Sequence, residues 1–199
     1  MTPADSAHAL ASLESRLEGA HPVSFSVKLR SSEVIEAVLE GTLELEPSGG
    51  ARLDLRGTLA GSPAELKDSR YGERLVGSAL GRGIDLATPG PVRRLFAIGF
   101  VRLGLLELLL QVLGDKRWPD AVELDRRYRV QPLVVLEPES TRPDLAGCVG
   151  HAFTVSHRGR DFATATLWLD GDGAWPRERS QSVRGATMVT AEYYWDWQW

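Results

Sequence analysis

The chain has 199 residues, 43% apolar and 25% charged, a balance that excludes disorder and fits one folded domain spanning residues 1–199. Its 23 basic and 27 acidic side chains are spread along the whole length and sum to a formal charge of -4, which leaves no basic face for nucleic acid. A single cysteine, Cys148, excludes an internal disulfide and a cysteine-clustered zinc site.

The start, Met1-Thr2-Pro3-Ala4-Asp5, carries neither the basic nor the apolar region of a secretory signal, so the chain is expected to be cytoplasmic, or periplasmic or exported if a signal peptide has been removed. Over residues 4–17, Leu10, Leu13 and Leu17 recur at helical spacing between Glu14, Arg16 and Glu18, which predicts a short amphipathic helix stopped by Gly19 and Pro22. From Val23 the period changes to two. Val23, Phe25, Val27 and Leu29, then Ile35, Ala37, Leu39, Leu43 and Leu45, then Leu53, Leu55 and Leu59 are apolar and odd-numbered, which predicts an antiparallel meander with one buried and one wet face. The turn Glu46-Pro47-Ser48-Gly49-Gly50 sets a register in which Leu43 faces Leu53, Glu44 faces Arg52 and Glu40 faces Arg56. The preceding hairpin, turning near Ser31-Ser32-Glu33, is expected to place Leu29 opposite Ile35 and Lys28 opposite Glu36.

Residues 63–67 and 71–77 read as two further strands, and the stretch from Gly81-Arg82-Gly83 to Pro91 as a loop that ends the meander. Pro91, following Thr88, opens a helix carrying Leu95, Phe96, Ile98, Phe100, Val101, Leu103, Leu105, Leu106, Leu108, Leu109, Leu110, Val112 and Leu113. Arg102 and Glu107 inside it would each cost about 2.5–3.5 kcal/mol at a bilayer centre, so it is read as a long buried helix and not a transmembrane segment. Apolar nearly all round, it must be covered on more than one face or present a binding surface. Strand character returns at 133–136, 148–157, 162–169, 177–183 and 187–199. In the last of these, Val189, Ala191, Tyr193, Trp195, Trp197 and Trp199 share a face that is expected to be buried or occupied. The sum is an α+β fold: a curved, incomplete antiparallel β-barrel, or half-barrel, covered by an N-terminal helix and a long apolar central helix.

Chemistry-bearing motifs are few. His8 and His21 have no partner spacing, and His151 and His157, six apart on one strand, would sit about 20 Å from each other, too far to share a metal. Asp170-Gly171-Asp172-Gly173 resembles the opening of a calcium loop, but Ala174 and Trp175 follow and the closing Glu is missing, so it reads as a hairpin turn. Gly81-Arg82-Gly83 lacks the third glycine of a dinucleotide loop. No nucleophile elbow, His-Glu-x-x-His helix or Walker loop is present, Cys148 has no nucleophile motif around it, and carboxylate pairs such as Glu44 and Glu46 fall on a wet strand face. No metal or cofactor is expected, and no catalysis.

Three segments carry a resemblance to a known family. The first is the N-terminal helix followed by Val23-Ser24-Phe25-Ser26-Val27 and the strand pair around Leu39-Glu40-Gly41-Thr42-Leu43 and Ala51-Arg52-Leu53-Asp54-Leu55. The second is Ala165-Thr166-Leu167-Trp168-Leu169-Asp170 leading to Trp175-Pro176-Arg177, and the third is the Gly185-led final strand. In this order they resemble the periplasmic lipoprotein-carrier superfamily, which includes the LolA-like carriers and their mycobacterial lipoprotein relatives. The resemblance covers about half the chain and leaves residues 115–145 without a counterpart. It implies an exported protein with a half-barrel whose concave face, covered by helices, binds acyl chains or other hydrophobic ligands.

Two functional expectations follow. In the first, a monomer binds a hydrophobic ligand, a lipid or lipoprotein acyl chain, under a lid of Phe96, Phe100, Leu103 and Leu106 and against a wall of Phe25, Leu39, Leu55, Phe153, Leu167, Trp195 and Trp197. Binding would come from desolvating apolar surface, at about 25 cal/mol per Å² before ordering costs. In the alternative the same fold is an envelope protein-interaction or sensor module with a filled interior, and the long helix or an edge strand docks a partner.

Overall fold

The computed structural model describes residues 2–32, 35–68, 74–90, 92–171, 175–183 and 189–198. Glu33, Tyr71, Pro91, Asp172, Gly173, Ala174, Gly185, Thr187 and Trp199, which figure in the expectations above, lie outside them. The chain runs α1 (Pro3–Glu18), β1 (Val23–Ser32), β2 (Ala37–Leu45), β3 (Ala51–Leu59), β4 (Ser62–Asp68), β5 (Arg74–Ala79) and β6 (Arg82–Ala87). Helices α2 (Arg93–Ile98), α3 (Leu105–Asp115) and α4 (Ala121–Arg127) follow, then β7 (Tyr128–Leu136), β8 (Val149–His157), β9 (Arg160–Leu169), β10 (Pro176–Val183) and β11 (Val189–Gln198). Among the described residues the strands form one antiparallel sheet in the order β6-β5-β4-β3-β2-β1-β11-β10-β9-β8-β7. Two meanders are therefore joined through β1 and β11, and β6 and β7 are the free edges of a sheet that does not close. The fold is α+β, with an N-terminal helix and internal helices against one face.

Local chemistry explains the elements. Thr2 and Asp5 form a reciprocal capping box at the start of α1, Pro3 occupies its first turn, and Leu10, Leu13 and Leu17 are buried. Arg93 closes the other end: its Nε donates to the Leu17 carbonyl at 2.6 Å and its Nη1 to the Glu46 carbonyl at 3.0 Å, tying α1 to the turn after β2. Arg102 draws α1 and α4 together, donating to Glu14 Oε1 and Asp125 Oδ1, each at 2.7 Å, and to the Tyr128 carbonyl at 3.0 Å. Along β1 the odd residues Val23 to Leu29 are buried and the even ones face out. Leu43 pairs with Leu53, Glu44 with Arg52 and Glu40 with Arg56, the expected register.

The β1–β2 hairpin departs from expectation. Leu29 lies opposite Leu39 and Lys28 opposite Glu40, because β1 continues to Ser32 and the turn comes later. Lys28 Nζ reaches Glu40 Oε2 at 3.1 Å. The segment after Gly81 is also corrected, from loop to strand β6, which pairs with β5 across a two-residue turn. Leu80 and Gly81 both have positive φ there, as do Ala60-Gly61 between β3 and β4 and Arg158-Gly159 between β8 and β9. Positive φ at both central residues matches the right-handed twist of the flanking strands, and glycine supplies the second at no steric cost.

The central helix is not continuous. After α2 the residues Gly99–Leu103 form a π-helical turn, Gly104 takes φ 85°, and α3 is bent by 117° from the Arg93–Leu103 segment. No single helix among the described residues is long and apolar enough to cross a membrane. Residues 121–127, unassigned in the sequence, form α4, whose N-terminus is capped by Asp120 accepting from the Val122 and Glu123 amides.

The last strand reverses the expected parity. Thr190, Glu192 and Tyr194 face inward and are buried, whereas Val189, Ala191, Tyr193 and Trp195 face outward. Asp196, at φ 54°, is a bulge: Ser26 pairs with Trp195 but Ser24 with Gln198, and the extra residue returns Trp197 to the inner side.

Candidate functional site

The inner face of the sheet is filled by side chains. Phe25 on β1, Leu39 on β2, Leu55 on β3, Phe153 on β8, Leu167 on β9, and Phe96, Phe100, Leu103 and Leu106 from the helices are each 2% exposed or less. They belong to one packed core. The Phe25 ring stacks on Trp197 at 4.1 Å between centroids and meets Phe100 edge-on at 5.7 Å, while Phe100 lies 4.8 Å from Tyr194. Trp197 stacks in turn on Trp175 at 5.0 Å, and the Arg16 guanidinium covers Trp175 at 5.6 Å. An aromatic column thus runs from a capping arginine into the centre of the molecule. Trp195 stands apart from it, half-buried on the outer face beside Ser26.

A polar group interrupts this interior. Arg179 and Glu192 are cross-strand partners on β10 and β11 and both are fully buried. Glu192 accepts the Leu105 and Leu106 amides at 3.0 and 2.9 Å, the first free N–H groups of α3, and the Tyr194 hydroxyl. Arg179 Nη2 donates to the Arg102 carbonyl at 3.1 Å and to Gln181 Oε1 at 2.6 Å. A Cβ on Gly104 would lie 2.4 Å from Arg179 Nη1 and 2.7 Å from Glu192 Oε1, so the helix break is moulded to this pair. Burial pushes the Arg179 guanidinium below its ordinary range, opposed by the Glu192 charge, and pushes the Tyr194 hydroxyl well up. Burial also raises the Glu107 carboxyl on α3.

The sequence reading overlooked these residues by assigning Thr190 and Glu192 to the wet side of their strand. A signal was present in β10. Arg177-Glu178-Arg179-Ser180-Gln181-Ser182 offers no apolar face, so a central strand with that sequence must bury one polar row. His151 is buried with its Nδ1 3.0 Å from Ser6 Oγ, whereas His157 stacks on Tyr128 at 4.8 Å. Among the described residues no group of three or more His, Cys, Asp or Glu side chains is placed to hold a metal ion.

The accessible features lie at the edges. On β7, Leu133 and Val134 are 44% and 49% exposed at a bulge after Pro132. A groove of about 220 Å³ separates β7 from α1, lined by Ala7, Leu10, Ala11, Val130 and Pro132 among others. A second, of about 490 Å³, lies where β1, β2 and β11 meet, between Ser31, Ala37, Val189 and Tyr193.

No protein-family model and no curated protein matches the chain. Among solved structures it is similar to LprF from Mycobacterium bovis, at 11% identity and a TM-score of 0.45 over 97% of this chain and 92% of that one. It is similar to a chain of the Pseudomonas aeruginosa MucA/MucB complex, at 15% identity and a TM-score of 0.46 over 98% of this chain but only 56% of the other, so it spans little more than half that length. A third likeness is to the LolA superfamily protein NE2245 from Nitrosomonas europaea, at 9% identity and a TM-score of 0.32 over 97% and 92% of the two chains.

Proposed function

We propose that this chain is a non-catalytic, exported protein-interaction module of the half-barrel type, with a filled interior and a free sheet edge at β7 that receives an extended apolar segment of a partner. The observation that carries the reading is the contrast between inside and edge. Nine of the eleven side chains expected to line a lipid cavity are 2% exposed or less within one packed core, whereas Leu133 and Val134 stand exposed on an edge strand. Edge strands present unpaired N–H and C=O groups, and soluble proteins usually blunt them with charge. Pro132 and the bulge after it interrupt the edge, but the Leu133-Val134-Val135 stretch carries no charge. An added strand would satisfy those backbone groups and cover the apolar side chains together.

A photocrosslinking residue at position 134, expressed in the native host, tests this. The expected result is one dominant adduct, reduced at least ten-fold by Gln131→Pro with Leu133→Lys and missing when the crosslinker sits at Arg56 on the sheet's outer face. Native mass spectrometry of the same preparation separates the carrier function. A co-purifying lipid released by a fluorescent fatty acid, with no position-134 adduct, would refute the proposal.

A further inference from the structure

Beside the free edge at β7 the packing of α1 leaves a groove open. Tyr128 is buried and Val130 and Pro132 are half-buried, alternating with the exposed Arg129 and Gln131, so Val130 and Pro132 turn toward α1. They form one wall of the groove, Ala7 and Ala11 on α1 form the other, and the buried Leu10 and Val101 lie beneath. Its volume of about 220 Å³ falls below the roughly 300–1,000 Å³ of pockets that hold small molecules, and suits a single large side chain. Because β7 ends the sheet, no other strand among the described residues covers its outer edge.

Charge is unevenly placed along the same edge. At the Tyr128 end stand Arg126, Arg129 and Arg158, all exposed. The Arg158 amide donates to the Arg127 carbonyl, which holds the β8–β9 turn beside the start of β7. The acids of α4 are already engaged: Glu123 pairs with Arg127, and Asp125 lies 2.7 Å from Arg102 but 3.8 Å from Arg129. Past the other end of the strand, Glu137 and Glu139 are exposed. Residues 130–136 between them carry no charge. An extended segment laid along β7 therefore meets positive charge at one end, apolar surface in the middle and negative charge at the other.

We propose that the occupant of this edge is an antiparallel segment in which a large apolar residue is followed directly by an acidic one, with basic residues toward its start. The inference rests on partner docking at β7 and specifies the chemistry of the partner. Antiparallel addition continues the pairing of β7 with β8 and of β8 with β9. The residue opposite Val130 shares its inward face and stands about 4.5–5.5 Å from it at Cβ, which brings its side chain to the groove. The next residue of the segment lies opposite Arg129 on the outer face, where a carboxylate forms an ion pair. The start of the segment runs past Leu136 toward Glu137 and Glu139, which receive its basic residues.

Fluorescence anisotropy with the full chain and defined peptides tests this. The probe is a fluorescein-labelled peptide of two lysines, alternating threonine and valine, one phenylalanine and then two aspartates; its controls replace phenylalanine by alanine or exchange the charged ends. The expected result is binding about ten-fold tighter or more for the phenylalanine probe than for either control. Ala11→Phe, on the exposed side of α1, fills the groove and should abolish the preference for phenylalanine while leaving the alanine control unchanged. Arg129→Glu should reverse the preference between the two charge orders. Equal binding of the phenylalanine and alanine peptides, a phenylalanine preference that survives Ala11→Phe, or equal or tighter binding of the charge-exchanged peptide would overturn the proposal. So would a dimer of the chain that Ala11→Phe dissociates, which makes a second copy the occupant, or displacement of the probe by a fatty acid, which makes it a lipid. A photocrosslinking residue at position 134 separates this inference from the one beneath it: adducts with all three peptides alike defeat the stated chemistry and leave edge docking standing, whereas no adduct with any peptide, together with none in the native host, defeats both.

Discussion

Glu192 of β11 and Arg82 of β6 grip opposite ends of α3. The carboxylate receives the Leu105 and Leu106 amides at its start, and Arg82 Nη2 donates to the Leu113 carbonyl at 2.9 Å near its end. Both charges complement the helix dipole, negative at the N-terminus and positive at the C-terminus. The sheet thereby fixes a helix whose own sequence provides no side-chain cap.

Glu192→Gln should reveal how much of this is electrostatic. It keeps the shape but weakens hydrogen bonds to a charged acceptor and leaves buried Arg179 with Glu107 as its remaining nearby carboxylate, so a loss of about 2–4 kcal/mol is expected from urea unfolding. Arg82→Ala, at the exposed edge, should cost only about 0.5–1 kcal/mol.

Gly104→Ala should be as costly as the loss of Glu192. A side chain there meets both a positive φ and the buried charged pair, and on the order of 3 kcal/mol is expected from strain and displacement of Arg179. Far-UV circular dichroism should show the helices retained while the urea midpoint falls.

His151 should make the docking of α1 sensitive to acid. Burial depresses its imidazole below the ordinary range of about 6.5, so the folded state binds fewer protons than the unfolded state between the two values. Stability from this group is complete above about pH 6.5 and is lost as pH falls through that value toward the folded pKa. The Tm of His151→Gln should lack this segment of the pH profile, and limited proteolysis of the wild type at pH 5 should cut first within α1.

The β1–β2 register can be read from a charge cycle. Lys28→Glu should be destabilising by roughly 0.2–1 kcal/mol and restored by Glu40→Lys, whereas Glu36→Lys should not restore it. Both side chains are well exposed, so the coupling energy, more than either single effect, is the informative quantity.

Removing Asp196 should turn Trp197 to the outer side. The indole Nε1–H now donates to the Pro176 carbonyl at 2.8 Å, so its NMR signal should lose protection from exchange. The loss of stacking on Phe25 and Trp175 should cost on the order of 3 kcal/mol.

These positions also mark where the sequence was and was not informative. The β2–β3 register was legible because turn residues and cross-strand charges at Glu44 and Arg52 admit one solution. The β1–β2 register was not, because Glu36 and Glu40 are both acidic and four apart, so a shift by four preserves side-chain parity and the sign of every pair checked. Leu80-Gly81 hid β6, since leucine carries no turn signal even where it adopts a left-handed conformation. In β11 the extra residue Asp196 puts Trp195 and Trp197 on opposite faces although their numbers share parity. For the candidate site, odd-residue parity correctly turned Phe25, Leu39 and Leu55 inward. Whether facing side chains touch or leave space depends on summed volumes across elements distant in sequence, which periodicity does not encode.

The seam between β1 and β11 has a consequence for how the chain is made. Each meander consists of hairpins between successive strands, contacts that form early and locally, but Leu29 meets Glu192 only when nearly the whole chain is available. Until then β1 offers an unpaired edge, and Arg179 lacks the neighbouring acid that shares its burial. Synthesis should therefore pass through a stage with the first half-sheet formed and its seam open, vulnerable to pairing with another nascent chain. Zipping of β11 into place should be the slow step that commits the molecule to its folded state.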